Sequence, residues 1–413
     1  MLYGASALGL VLLLARPINY DETVVPDYTL PDPLVTADGR RVESEREWTS
    51  GRRAEVLDLF QRHVYGRTPL PPSPIIYEVF DQDTAALDGL ATRTQVTIWL
   101  LGRRDGPAVD LLVYRPNHVE GRAPAFLGLN FGGNHTIADD PAIRITTAYQ
   151  RDANADNGEA ARGRSARRWP LELILKRGYA LATAYYGEIE PDHAEGWRTS
   201  LRAAMSPDGD ATAWHEGEWG AIGAWAFGLS RCLDYLVTRD DLDPQRVSVI
   251  GHSRLGKTSL WAGAQDGRFA MVVSNNSGEG GAAITRREYG ETIATIVNAF
   301  PHWFTKTFNN YADREGDLPV DFHELIALVA PRPCYIASAS EDRWADPKGE
   351  FLAGVGAEPV YQLFGLTGLG TDDWPAADTP VGERIGYHMR TGPHDILAYD
   401  WEQYLNFADK HLR

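Results

Sequence analysis

Residues 246–259, RVSVIGHSRLGKTS, place a serine between two glycines and a lysine one helical turn beyond it. Two chemistries use residues of these types at this spacing. Gly251-x-x-x-x-Gly256-Lys257-Thr258 is the pattern of a phosphate-binding loop, in which backbone N–H groups and a lysine cradle a nucleotide. Read as strand, Gly251-His252-Ser253, then helix, the same residues form a nucleophile elbow. In that turn small glycines let the chain bend sharply, Ser253 Oγ rises above a parallel sheet, and a helix N-terminus lies beside the developing oxyanion.

Context favours the elbow. A phosphate loop usually follows the first strand of its domain, whereas some 250 residues of strand-like and turn-rich sequence come first here, and its variable positions would be the bulky set His, Ser, Arg and Leu. A serine nucleophile needs a base, and the base an orienting acid, in the chain order Ser, Asp/Glu, His. The apolar run 333–339 leads into Ser340-Glu341-Asp342. A second run, VYQLF (360–364), reads as a further strand and precedes Gly392-Pro393-His394-Asp395. Among 11 histidines His394 is favoured as the base, since it sits in a glycine-containing loop before a terminal helix; His388 is its near rival, and His302, His323 and His411 fit helices better. Arg254 would present a guanidinium near the carbonyl oxygen, and Lys257 faces the same side one turn later. Metal chemistry has no support: no histidine follows His323-Glu324 at the zinc-protease spacing, and there is no Cys/His cluster. No cofactor is expected.

These side chains need a scaffold. The segments 94–100, 108–116 and 125–131 read as strands, the last ending in Gly132-Gly133-Asn134-His135, a loop suited to a second oxyanion donor. Residues 177–186 and 271–274 read as buried strands, 219–236 and 400–412 as amphipathic helices, and 45–65 as a helix capped by Ser44. Strands alternating with helices predict an α/β class: a three-layer αβα sandwich with a doubly wound, mostly parallel sheet, the α/β-hydrolase fold. The expected division is an apolar segment 1–20, an N-terminal arm and helix 21–90 packed on the core, and a catalytic domain 91–413. Its segment 188–217, with Trp197 and Trp214 and little periodicity, is expected to form part of a cleft.

A net charge of −17 argues against nucleic acid and anionic membranes as partners. The 12 Trp and 18 Tyr add weight to a sugar substrate, because aromatic rings stack on sugar faces. Cys232 and Cys334 lie in apolar runs and read as buried free thiols. Residues 4–15 have the length of a signal-peptide apolar region, without a basic residue before it or a clean cleavage site after it. Export as a secreted or periplasmic monomer, by an atypical signal, is the expectation.

With these residues assembled, the chain resembles the glucuronoyl esterases, carbohydrate esterase family 15, and its bacterial members above all. The resemblance rests on GHSRLGK (251–257), SGEGGAA (277–283), FPHWF (300–304), APRPCY (330–335), EDRWADPKGEF (341–351) and IGYHMRTGPHD (385–395). It implies metal-independent hydrolysis of esters between 4-O-methylglucuronic acid on xylan and lignin alcohols. It further implies Ser253 as nucleophile, His394 as base, Arg254 as oxyanion donor, and Lys257, Trp344 and Glu291 as sugar contacts. Many members carry a glutamate where this chain has Asn276, so the acid must come from elsewhere. Asp342 is the expectation and Glu279 the alternative, with Glu341 and Asp346 read as loop carboxylates. The fungal disulfide beside the serine is absent, its positions being His252 and Asp395. An acetylxylan esterase, a nucleotide-binding protein and a catalytically idle carbohydrate-binding module are the competing readings.

Overall fold

The computed structural model describes residues 17–151, 157–206 and 217–413. The apolar segment 4–15 and Trp214 lie outside the described residues. Ten strands form one sheet. In chain order they are β1 (Ile76–Ala86), β2 (Ala91–Trp99), β3 (Ala108–Pro116), β4 (Ala123–Asn130), β5 (Ala180–Tyr185), β6 (Leu242–His252), β7 (Met271–Asn275), β8 (Cys334–Ala339), β9 (Val381–Gly382) and β10 (Ile385–Arg390). The helices that matter for the site are α1 (residues 45–65), α2 (Leu171–Lys176), α3 (Ala221–Leu236), α4 (Arg254–Gln265), α5 (Pro347–Leu363) and α6 (Ala398–Leu412). The sheet order is β1-β2-β3-β5-β4-β6-β7-β8-β10-β9. Strands β5, β4, β6, β7, β8 and β10 run parallel, while antiparallel pairings join β1, β2 and β3 at one edge and β9 at the other. This is the expected doubly wound, mostly parallel sheet of the α/β-hydrolase fold.

Alternation along the strands builds three layers. Leu127, Leu129, Val247, Val249 and Ile336 pack with Trp225 of α3, Trp261 of α4 and Phe351 of α5 on one face. Phe126, Ile250, Val273 and Tyr335 pack with Ile174 of α2 and Trp401 and Tyr404 of α6 on the other. Successive side chains of a strand point to opposite faces, so a strand apolar at every position is covered twice. Ser44 caps α1 by accepting from Glu47 N at 3.3 Å, and Cys232 and Cys334 are buried and free, both as expected.

Two elements differ from the sequence reading. Residues 360–364 are not a strand: through Leu363 they are the last turn of α5, and the sixth parallel strand is β10. Asp346 caps α5 through Gly349 N at 3.0 Å and Pro347 opens it, while Phe351, Ala353, Ala357, Val360 and Tyr361 line its buried face at helical spacing. A five-residue apolar run has too little length to distinguish the two periods. The other difference is β1, which the reading grouped with the N-terminal arm and which pairs with β2 in the main sheet. The arm itself lies over the site's flank. Asn19 O accepts from Gly290 N at 2.8 Å, and Glu22 bonds Arg287 at 2.7 Å and Lys348 at 3.0 Å.

Candidate active site

Strand β6 ends at His252 and α4 begins at Arg254, leaving Ser253 alone in the turn with φ 58° and ψ −130°. A non-glycine residue held there is strained, and the surroundings must over-determine it. They do: Ser253 N donates to Asn275 O of β7 at 2.8 Å, and its carbonyl accepts from Gly256 N at 2.8 Å. A Cβ at Gly251 would sit 1.8 Å from Leu255 O, and one at Gly256 would press on Ser277 Cβ at 3.1 Å. Glycine is therefore needed at 251 for the close approach of strand and helix. The phosphate-loop reading fails on the same geometry, because a one-residue turn offers no cradle. Lys257, only 4 % exposed, donates its ammonium to Ser277 O inside the protein.

Loops at the carboxyl ends of neighbouring strands bring the other groups in. Asp342 follows β8 and His394 follows β10; His394 Nδ1 meets Asp342 Oδ2 at 2.6 Å, which leaves Nε2 as the ring's other nitrogen. The same Oδ2 accepts from Asn276 Nδ2 at 2.8 Å. Asn276 thus stands beside the acid as a donor. Glu279 is elsewhere: it is buried and accepts from Thr285 Oγ1 at 2.9 Å, and burial, reinforced by Asp321 and Glu315, pushes its carboxyl well above the usual range. His388 is buried on β10 between Asp400 Oδ1 (2.8 Å) and Tyr335 OH (3.1 Å), a core histidine. Asp346 caps α5 and pairs with Arg287, as a loop carboxylate should. His302, read as helical, lies after its helix and bonds Asp192 Oδ1 at 2.8 Å.

His252 packs its ring against that of His394, centroids 4.6 Å apart, and bonds Asn275 Oδ1 at 2.5 Å. Burial first, then the neighbouring His394, holds His252 well below the usual histidine range and so neutral. Asp395, at the other position of the missing disulfide, accepts from Arg168 at 2.6 Å and pairs with Arg167 at 2.5 Å. Ionic contacts thus tie down the His394 loop.

Lys257, Glu291 and Trp344 form a group on the flank of the elbow. Lys257 Nζ lies 3.9 Å from Glu291 Oε2, and Glu291 N donates to Trp344 O at 2.9 Å. Burial raises the Glu291 carboxyl and lowers the Lys257 ammonium, each against the pull of the other's charge. Trp344, 36 % exposed, bonds the Glu291 carboxylate through its side chain, and its large ring is partly open to solvent beside this polar pair. That is the combination a sugar ring with hydroxyls at its edge can use. The glycine loop after β4 is less open than expected, since Gly133 N is taken by Asn130 Oδ1 at 2.8 Å.

Several groups of the site carried no sequence signal. Glu350 of α5 accepts from Ser277 N and Gly278 N at 2.8 and 2.9 Å and from Ser338 Oγ at 2.6 Å, fixing the loop that presents Asn276. Burial pushes its carboxyl up to about 8. Asp192 bonds Arg254 from the segment after β5. No group of metal-ligating side chains is found among the described residues.

The arrangement offers a strained serine at a helix start, an imidazole oriented by a carboxylate, and a cationic residue next to the serine, the parts of acyl-transfer chemistry. Comparison with known proteins agrees. The family described as glucuronyl esterase, fungi, matches residues 213–365. A carbohydrate esterase of an unknown prokaryotic organism is 48% identical over 404 residues, covering 96% of this chain and 93% of that protein. A 4-O-methyl-glucuronoyl methylesterase of Wolfiporia cocos is 28% identical over 83% of this chain and 75% of its own length. The solved glucuronoyl esterase from Solibacter usitatus superposes with a TM-score of 0.90 at 47% identity, covering 95% of this chain and 100% of that one. Fold, motifs and full-length similarity together make this chain a member of the glucuronoyl esterases, carbohydrate esterase family 15.

Proposed function

We propose that the chain hydrolyses esters of 4-O-methylglucuronic acid, as found between glucuronoxylan and lignin alcohols, through a Ser253–His394–Asp342 triad. The observation that carries this reading is the 2.6 Å bond between His394 Nδ1 and Asp342 Oδ2, beside an elbow that holds Ser253 at positive φ. The names of the relatives support the acid half of the substrate.

In the proposed reaction Ser253 Oγ attacks the ester carbonyl while His394 Nε2 accepts its proton, and Asp342 stabilises the imidazolium. The charge that develops on the carbonyl oxygen meets the Arg254 guanidinium and the first N–H groups of α4. The imidazolium then protonates the departing alcohol, leaving a glucuronoyl ester on Ser253. Water, deprotonated by His394, attacks that ester and returns the serine with release of the uronic acid. Lys257, Glu291 and Trp344 hold the sugar. Replacement of Ser253 by alanine is expected to lower kcat on benzyl glucuronate by about 10⁴ to 10⁶ with the fold retained. Turnover within tenfold of the wild type would rule the triad out.

A further inference from the structure

The Arg254 guanidinium is caged. Its Nη1 donates to Asp192 Oδ2 at 3.1 Å and to Tyr186 OH at 3.4 Å. The rings of Phe131 and Trp303 lie against it, with centroids 5.3 and 5.1 Å from Cζ. Its Nε is buried and finds no hydrogen-bond partner among the described residues.

Asp192 is the hub of the cage, with 1 % of its side chain exposed. Oδ1 accepts from His302 Nε2 at 2.8 Å and Trp303 Nε1 at 2.7 Å; Oδ2 accepts from Tyr186 OH at 3.0 Å and from Arg151 and Arg254 Nη1, each at 3.1 Å. Burying a carboxylate is costly unless it is fully bonded, and here both oxygens are engaged. Burial alone would raise this carboxyl, but the bond from His302, the charge of Arg254, the bond from Trp303 and the charge of Arg151 outweigh it and hold it far below the usual range. Two guanidinium groups share one carboxylate. The cluster therefore keeps a net positive charge, and the anchor does not cancel the cation it holds. The walls are linked as well: Phe131 packs edge-on against Tyr186 at 5.7 Å, and Trp303 both bonds Asp192 and covers Arg254.

Resting on the esterase reading above, we propose that Asp192 is a positioning residue for the reaction, holding Arg254 in one rotamer beside Ser253 so that the guanidinium meets the oxyanion without reorganising. A free arginine would lose side-chain entropy on engaging that charge, whereas a caged one has already lost it. An effect of this kind appears in the transition state more than in the bound substrate.

The test is a double-mutant cycle on benzyl glucuronate. Arg254→Ala alone should lower kcat by about 10² to 10³. Asp192→Asn, which keeps the shape and removes the charge, should lower kcat about 10- to 100-fold with KM changed less than about threefold. In the Arg254→Ala background the same substitution should add less than a further threefold or so. Tyr186→Phe removes one donor to Asp192 without changing charge. It should cost kcat about 3- to 10-fold, again only when Arg254 is present, and it serves if Asp192→Asn does not fold. Losses that multiply independently of Arg254, or that fall on KM alone, would overturn the proposal. Full activity of Arg254→Ala beside an inactive Ser253→Ala would remove this inference and leave the esterase standing. An active Ser253→Ala would remove both.

Discussion

At the scale of single residues, the acid of the proposed triad is the sharpest question. Asp342 Oδ2 receives both His394 Nδ1 and Asn276 Nδ2, whereas Glu279 is bonded to Thr285. Asp342→Asn is therefore expected to reduce kcat by up to about 10⁴, as charge removal does in a serine-protease triad. Glu279→Gln should stay within about tenfold of the wild type, because an amide can still accept from Thr285. Steady-state rates of the two variants decide it, and an inactive Glu279→Gln beside a normal Asp342→Asn would reverse the assignment. Because Asn276 already reaches that oxygen, Asn276→Glu in the Asp342→Asn background is expected to recover part of the rate. Substrate choice is also a matter of single residues. Lys257→Ala or Trp344→Ala should weaken kcat/KM on glucuronate esters about 10- to 100-fold, the value of a lost bond to a charged group, and leave small acetyl esters within a few-fold. Equal losses on both ester classes would make these side chains structural.

At the scale of elements, the elbow depends on β6 and α4 approaching more closely than any side chain allows. Gly251→Ala places a methyl carbon 1.8 Å from Leu255 O, a backbone atom that cannot turn aside. The substitution is expected to destabilise the fold by about 3 kcal/mol or more and to abolish turnover, as read from a denaturant melt and an ester assay. A soluble variant of wild-type stability and rate would mean that the turn is built differently. Helix α5 has a comparable part on the acid side. Its Asp346 cap and its Glu350 both reach out of the helix, one to close its first turn and the other to hold Ser277 and Gly278.

Across the whole molecule, acids withdrawn from water tie stability to pH, the half-buried Glu188 among them. Glu188 accepts from Asp110 N at 2.8 Å and Thr146 Oγ1 at 2.5 Å, and burial, opposed by these bonds, raises its carboxyl from 4.5 to about 7. Between those values the folded chain keeps a proton that the unfolded chain has released. The stabilising contribution is complete below about 4.5 and is lost as pH rises through 7, at up to about 1.4 kcal/mol per unit for one group. Self-repulsion on a chain of net charge −17 adds to the trend. Melting temperature is thus expected to fall between pH 5 and 8, and Glu188→Gln should flatten that slope. An unchanged slope in the variant would show that Glu188 is ionised throughout the range.

The sequence by itself determined what depends on contiguous residues. GHSRLGK carries the sharp turn, the strand alternation carries the two-sided sheet, and the chain order of Ser253, Asp342 and His394 follows from the order of the strands that end beside them. Only the tertiary structure decided what depends on distant ones. It separated Asp342 from Glu279 as the carboxylate at His394, across 52 residues, and set Asn276 on Asp342 across 66. It turned VYQLF from a strand into the end of α5, because five residues cannot show a helical period that needs the whole buried face. The cage around Arg254 was illegible because its parts are distant in the chain: Asp192 sits in a segment without periodicity, and nothing local in the helical reading of His302 and Trp303 points to a carboxylate partner. Their types are common, and nothing short of the folded chain brings a carboxylate to donors 110 and 111 residues away.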